Sequence, residues 1–431
     1  MTDGRKILLA YNLRSYGVSP RAWLTGNSSG HALFTADYWS DVAREAERGL
    51  FDAVFAGDSS QFLGANRIDV DGLDRFIAWA SVIPNTDNIG IIVTASTTYN
   101  DPYRLAERLL SLDHLSGGRV SWNLITTFAP DSAANFGLAT HPDRKQRYRR
   151  ADEFADVVVR LWDSAGSGPS VEIRNTNFTV LGQLPLPRSR QGRPPIIRAS
   201  SSAEGRALAG RLATGVFDSA LTLAGGQEGY RRVKSDAVYA GRSPAELAYL
   251  PGIRIVLGST ESEARGRVDE LFLNDPLTSS EHRAWFGSLI GTDIETLDSE
   301  RPIPASVLTA ALTSAIDDRD AVRASTLKLL GEQATLPVHE QLRLTRYVSG
   351  GHSTFVGAPD QLADRLEIWF RGRAADGFVI APDLTVDTLP ILVDEVVPLL
   401  QRRGLYKHEY ASSTLAGHFR DASGLGIEVP A

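Results

Sequence analysis

The sequence predicts an α/β fold in which parallel strands close into a barrel. Short apolar runs alternate with amphipathic stretches along most of the 431 residues, and this alternation is typical of the β-α units that build a parallel sheet. About eight strand candidates belong to it, a number that favours a closed barrel over an open doubly wound sheet. No G-x-G-x-x-G motif follows the first strand candidate, which counts against a dinucleotide-binding domain.

Composition excludes several classes of function. The chain is 42% hydrophobic and 23% charged, as in globular proteins, and no run approaches the ~20 apolar residues of a membrane span. A net charge of −7 argues against a nucleic-acid partner. The absence of cysteine rules out disulfides and a thiol nucleophile. The eight histidines form no ligand cluster, so we expect no bound metal. We expect a cytoplasmic enzyme with neither a membrane nor a nucleic acid as partner.

The strand candidates are apolar runs of four to six residues that end in small or polar residues. In chain order they are residues 7–11, 52–56, 89–93, 120–125, 195–198, 215–218, 253–257 and 377–380.

The helix candidates have an apolar face at helical spacing and recognisable ends. Gly49 stands where the C-cap of the first belongs, and Asp101 stands at the N-cap of the second. In chain order they are residues 38–49, 102–115, 151–162, 203–213, 226–237, 261–273 and 388–401.

Two stretches interrupt the alternation. About residues 167–190 form a strand-rich insertion, and about residues 274–351 form a mostly helical one. No linker composition separates them from the rest, so we expect a single domain over residues 1–431. Insertions on barrel loops shape or cover an active site, or they form an oligomer interface. The sequence leaves both interpretations open.

Polar residues follow three neighbouring strand candidates. Asp58 follows the second, and Thr94 and Ser96 follow the third. Asn123 and Thr127 lie within and after the fourth. The carboxyl ends of barrel strands are where ligands bind. The alternatives are a loop aspartate bonding its own backbone, strand-end hydroxyls, and an asparagine bonded to a neighbouring strand.

Two further stretches suit an anion. Ser201 and Ser202 open a helix, where backbone N–H groups bind phosphate, although Ser201 with Glu204 also has the spacing of a capping box. A basic run begins at Arg144 and includes Tyr148. It is either a solvated helix start or the neutralising partner of one phosphate.

A set of motifs spans nearly the whole chain in order. They are ERGLFD at residues 47–52, LSGGRVSWN at 115–123, NFG at 135–137, RYRRADEF at 147–154, AADGF at 374–378 and VVPLL at 396–400. Together they resemble the flavin-dependent monooxygenases of the bacterial luciferase-like superfamily. The most similar branch contains nitrilotriacetate monooxygenase component A, the pristinamycin synthase oxygenase and dibenzothiophene-sulfone monooxygenase.

The resemblance implies a TIM (β/α)8 barrel of the luciferase-like type with insertions. It implies FMN, supplied as FMNH2 by a separate NAD(P)H:flavin reductase, in a homodimer or homotetramer. A small, partly apolar substrate would receive one oxygen atom of O2 through a C4a-(hydro)peroxyflavin. The alternatives are a flavin-dependent oxidase, dehalogenase or reductase on the same fold, and a non-catalytic flavin-binding protein. By motif, the cofactor contacts are Asp58, Thr94, Ser96, Asn123, Thr127, Arg144, Tyr148, Ser201 and Ser202.

The motifs contain no acid–base pair. The candidates for a proton or hydrogen-bond role are therefore His352, Tyr99 and His31, each of which also has a structural interpretation. Arg144 stands where many relatives have histidine. The resemblance also implies a strained peptide between Ala95 and Ser96, beneath the flavin ring.

The substrate is indicated only weakly. Trp23, Phe62 and Leu63 near the presumed mouth favour an apolar or aromatic ligand.

Overall fold

The computed structural model describes residues 4–19, 22, 32–58, 73–199, 203–273, 276–314, 321–346 and 352–424. Among these, no helix combines the length and apolar character needed to cross a lipid bilayer.

Eight parallel strands close into a barrel, as predicted. They are β1 (Leu8–Asn12), β2 (Ala53–Ala56), β3 (Gly90–Ser96), β4 (Val120–Ile125), β7 (Ile196–Ala199), β8 (Gly215–Asp218), β9 (Ala248–Leu257) and β11 (Gly377–Pro382).

The barrel closes where β11 pairs with β1. Leu8 lies opposite Gly377 and Tyr11 lies opposite Ile380. A Cβ on Gly377 would lie 2.2 Å from the carbonyl oxygen of Leu8, so the closing strands approach at a distance that only glycine permits.

The helices of the structure are α1 (Ala36–Arg48), α2 (Arg75–Val82), α3 (Pro102–Leu115), α4 (Ser132–Asn135), α5 (Arg144–Ser164), α6 (Ala203–Leu212), α7 (Leu223–Tyr239), α8 (Glu261–Val268), α9 (Pro276–Ile290), α10 (Ala305–Ser314), α11 (Ala321–Glu332), α12 (Val338–Arg346), α13 (Pro359–Arg371), α14 (Thr385–Ile391), α15 (Val397–Arg402) and α16 (Leu415–Ser423). The C-cap at Gly49 and the N-cap at Asp101 are confirmed.

Side chains alternate between the two faces of the barrel wall, because successive residues of a strand point to opposite sides. The outward residues pack against the helices in one large core. The inward residues form a separate cluster that helix α16 completes with Leu415 and Phe419. Its strand members include Leu8, Ala10, Ala53, Phe55, Ile92, Ile197, Leu250 and Val379.

The predicted insertions contain the expected kinds of element. Strands β5 (Val171–Arg174) and β6 (Thr179–Gly182) form an antiparallel pair. Helices α9 to α12 enclose a small apolar core of their own, which includes Phe286, Leu308 and Leu327. That the whole chain forms one domain stays a prediction.

Several elements differ from the sequence prediction. Helix α5 begins at Arg144, seven residues early, because Asp143 and Gln146 form a capping box. Strand β10 (Ser353–Gly357) extends the sheet beside β9 and was not predicted. Neither were α2, α13 and α16.

Arg119 ties the starts of β3 and β4 together. Its side chain is 3% exposed and donates five hydrogen bonds of 2.8–3.2 Å. The acceptors are the carbonyl oxygens of Ser116, Ile83, Thr86 and Ile89 and the hydroxyl of Thr86. This satisfied guanidinium explains the arginine of the LSGGRVSWN motif as a structural residue.

We expect Arg119→Met to lower the free energy of unfolding by about 3 kcal/mol or more, because buried acceptors lose their donors. Urea unfolding followed by tryptophan fluorescence measures the change. Arg149→Met is the control, since Arg149 is exposed on α5, and it should leave the unfolding midpoint unchanged. Equal effects of the two substitutions would contradict the structural role.

Candidate functional site

A chain of hydrogen bonds joins the carboxyl ends of three barrel strands. The hydroxyl of Thr94 donates to the carbonyl oxygen of Ala56 at 2.7 Å, and the side-chain amide of Asn123 donates to Thr94 Oγ1 at 3.0 Å. Asn123 is 3% exposed, and its Oδ1 has no hydrogen-bond partner among the described residues. The chain therefore ends in a buried acceptor available to a ligand's N–H group. Asp58 is exposed, two residues after β2.

Ser96 and Thr127 meet at the same end of the barrel. Thr127 Oγ1 donates to Ser96 Oγ at 2.7 Å, and Ser96 Oγ also accepts from the backbone N–H of Thr98 at 3.0 Å. The peptide between Ala95 and Ser96 is not cis, like every other described peptide bond. The expected strained peptide at this position was wrong.

Tyr99 belongs to a cluster on the long loop after β4. Its ring stacks on Phe136 at 4.3 Å between centroids, and its hydroxyl lies 2.6 Å from His141 Nδ1. Burial raises the pKa of Tyr99. Burial and the nearby Arg147 lower the pKa of His141, so its neutral imidazole is favoured. The sequence prediction included Tyr99 and missed His141, whose partnership with Tyr99 depends on the path of the loop.

A cationic cluster surrounds Tyr148 on helix α5. The guanidiniums of Arg144 and Arg198 each lie 5.7 Å from the centre of its ring. Arg144 pairs with Glu204 at 3.4 Å. Glu204 thus faces a cation, which agrees with the expectation that it turns away from a bound anion. Ser201 and Ser202 lie outside the described residues.

Arg198 was not predicted as a site residue, although it is the most deeply buried cation of this cluster. It is 2% exposed at the end of β7. Its Nε donates to the carbonyl oxygen of Gly205 at 3.2 Å, while Nη1 has no partner within the described part of the chain. Burial lowers the pKa of Arg198 to about 10, so it remains charged at neutral pH. A buried charge with unused donors beside a helix start suits an anion.

His352 lies apart from this cluster. It precedes β10, and its ring stacks on Phe217 at 5.0 Å between centroids. Burial and the guanidiniums of Arg254 and Arg14 lower the pKa of His352 to about 4. At neutral pH it is an uncharged hydrogen-bonding group. Among the described residues, no hydrogen bond or ring contact joins it to Tyr99.

The remaining predicted residues cannot be placed. His31, Trp23, Phe62 and Leu63 lie outside the residues that the structure describes.

Comparison with known proteins identifies relatives over the full length. The luciferase-like monooxygenase family matches residues 17–376. N-acetyl-S-(2-succino)cysteine monooxygenase of Bacillus subtilis (strain 168) is 33% identical over 452 residues, covering 100% of this chain and 99% of its own. Nitrilotriacetate monooxygenase component A of Aminobacter aminovorans is 33% identical over 454 residues, covering 97% of each. The structure of EDTA monooxygenase from Chelativorans sp. BNC1 superposes with a TM-score of 0.83 at 30% identity, covering 98% of this chain and 99% of that one.

The lowered pKa of His352 predicts a dependence of stability on pH. In the unfolded chain a histidine has a pKa of about 6.5, so as pH falls from about 6.5 to about 4 the unfolded state binds a proton that the folded state does not. The contribution of His352 to stability is therefore complete above pH ~6.5 and is lost below it. Between pH 7 and pH 5, wild type should lose about 2 kcal/mol relative to His352→Gln.

Urea unfolding of both proteins at the two pH values measures this difference. Proton NMR of the folded protein is the independent check. A ring of His352 that titrates near pH 6.5 would contradict its burial as a neutral imidazole.

Proposed function

Because the chain belongs to the luciferase-like monooxygenase family of oxidoreductases, we propose that it is the FMNH2- and O2-dependent oxygenase of a two-component system. In the overall reaction, the reduced flavin gives up two electrons and two protons to O2. One oxygen atom enters the substrate and the other leaves as water. A separate NAD(P)H:flavin reductase supplies FMNH2. The name of the Aminobacter relative, a component A, supports a second protein.

The proposal rests on one observation, the pairing of two incompletely bonded polar groups on the neighbouring strands β4 and β7. Asn123 points into the barrel mouth with an unused acceptor, and Arg198 lies on the other face of the wall with an unused donor. FMN has both complements, since its ring edge contains an N–H donor and its tail ends in a phosphate. The donor set therefore fits this cofactor.

Each end of the cofactor would have its own residues. Asp58, Thr94, Ser96, Asn123 and Thr127 would contact the ring. Arg198 joins the predicted phosphate residues, and it is the one with the most complete burial among those described. These are Arg144, Tyr148, Ser201, Ser202 and Arg198.

The flavin supplies the redox chemistry and the activation of O2. The contribution of the protein is to bind, orient and exclude water. Phe55 and Phe217 line the barrel interior with their rings 5.7 Å apart, which gives the mouth an apolar floor. The neutral His352 against Phe217 and the Tyr99 hydroxyl are the groups we propose for hydrogen bonding or proton movement.

The proposed substrate is a small, partly apolar organic molecule. The relatives named above act on N-acetyl-S-(2-succino)cysteine and nitrilotriacetate. The homo-oligomeric state stays a prediction.

The direct test combines the protein with a flavin reductase, NADH, FMN, candidate substrates and isotopically labelled O2. We expect one labelled oxygen atom in the product and tight binding of FMNH2 in an anaerobic titration. Absence of FMNH2 binding would contradict the proposal. Turnover without label in the product would indicate an oxidase or reductase instead, and flavin binding without turnover would indicate a non-catalytic flavoprotein.

Arg198→Met separates phosphate recognition from ring recognition. We expect FMN affinity to fall about ten- to hundredfold, since a charge-assisted contact is lost, while riboflavin affinity stays unchanged. Quenching of flavin fluorescence measures both.

The matched control is Arg211→Met. Arg211 lies on the same helix as Gly205 but pairs with Asp152 at the surface, and its loss should change neither affinity. If Arg198→Met weakened FMN and riboflavin equally, the residue would act on the fold rather than on the phosphate.

A further inference from the structure

A second large cavity opens at the opposite end of the barrel from the candidate site. Its volume is about 920 Å³. Its lining includes Leu8, Ala248 and Asp376, which lie at or just before the starts of β1, β9 and β11. Helices α7 and α16 form its walls. Since strand starts and strand ends lie at opposite faces of a parallel barrel, this cavity is separate from the flavin site.

The lining is strongly cationic although the protein is acidic overall. Seven of its side chains are arginine or lysine, and two are aspartate or glutamate. The whole chain has a net charge of −7. The distribution of charge is therefore concentrated at this cavity, where it raises the local concentration of anions.

The two carboxylates are engaged by only three of the cations. Asp376 pairs with Lys234 at 2.7 Å and with Arg5 at 3.2 Å. Glu246 pairs with Arg242 at 3.2 Å. The carboxylates therefore neutralise only part of the lining.

Helix C-termini explain part of this charge. Barrel helices end at this face, and cations are favoured at the negative end of the helix dipole. Lys234 donates to the carbonyl oxygen of Leu247 at 2.6 Å, and Arg242 donates to those of Gly210 and Ala213. Carbonyl groups orient a cation without neutralising it, so the positive potential of the cavity persists.

Arg231 and Arg420 are the cations best placed for a ligand. Both are exposed and both line the cavity. Arg231 donates to the carbonyl oxygen of Gln227 at 3.3 Å. Within the described ranges, neither has an acidic side chain within salt-bridge distance.

The floor of the cavity is apolar. Phe370 and Phe419 contribute their rings, with Leu8 and Ala248 between the strand starts. The guanidinium of Arg5 lies 4.7 Å from the centre of the Phe370 ring, so charge and aromatic surface meet inside the cavity. A small inorganic anion would leave this floor unused.

We propose that the cavity at the amino-terminal face of the barrel is a binding site for an amphipathic organic anion, with an aromatic or apolar body and a sulfonate, carboxylate or phosphate group. The body covers the floor around Phe370 and Phe419. The anionic group lies at the rim, between Arg231 and Arg420.

Two fluorescent probes with nearly the same body test this site. Anilinonaphthalene sulfonate is anionic, and N-phenylnaphthylamine is its uncharged counterpart. Each is titrated into the full-length protein in saturating FMN, so that the flavin site is filled. We expect the sulfonate to bind at least about tenfold more tightly than the neutral probe, the effect of two charge contacts.

The double variant Arg231→Gln with Arg420→Gln should remove this preference. The control, Arg371→Gln with Arg402→Gln, removes two exposed positive charges outside the cavity and should preserve it. All four arginines are exposed, and equal thermal midpoints will confirm that each variant is folded. Equal binding of both probes, displacement of the sulfonate by FMN, or an unchanged preference in the cavity variant would each overturn the proposal.

Discussion

The parallel closure of eight strands is the constraint on which the rest of this structure depends. Because every strand of the barrel runs the same way, residues far apart in sequence end at one face. Ala56, Thr94 and Asn123 come from three strands, yet one run of hydrogen bonds of 2.7 and 3.0 Å joins them. Closure also satisfies the backbone groups of the wall. Side chains at the strand ends are thereby left as the groups that meet a ligand.

Two buried arginines show how structural and functional polar groups differ in this fold. Arg119 and Arg198 are 3% and 2% exposed. Arg119 uses its donors on five acceptors of the surrounding loops, whereas Arg198 keeps Nη1 without a partner in the described structure. Burying an incompletely bonded charge costs free energy. Within the family, that cost is explained by a ligand that completes the bonding, and Asn123 repeats the pattern with a neutral group.

Apolar runs and caps made the barrel predictable from sequence, because both are local signals. All eight predicted barrel strands are present, although β9 begins five residues earlier than expected. Arg198 was missed since its four-residue strand does not reveal which side chain faces helix α5. The pairing of Tyr99 with His141 and the stacking of His352 on Phe217 depend on loop paths and on β10, which no periodicity indicated. Family motifs identified Asn123 and Tyr148, but the unused bonds that give such residues a physical role are visible only in three dimensions.

The barrel presents opposite ends of its helix dipoles at its two faces, so anion binding has a different physical basis at each. At the carboxyl face, the start of α6 and Arg198 both favour an anion, and their effects add. At the amino face, helix C-termini favour cations and oppose anions. An anion there must draw on side-chain charge alone, and seven cationic side chains against two carboxylates provide it. The carbonyl contacts of Lys234 and Arg242 hold those cations in place. Binding at this face should therefore be weaker and more sensitive to salt than binding at the flavin site.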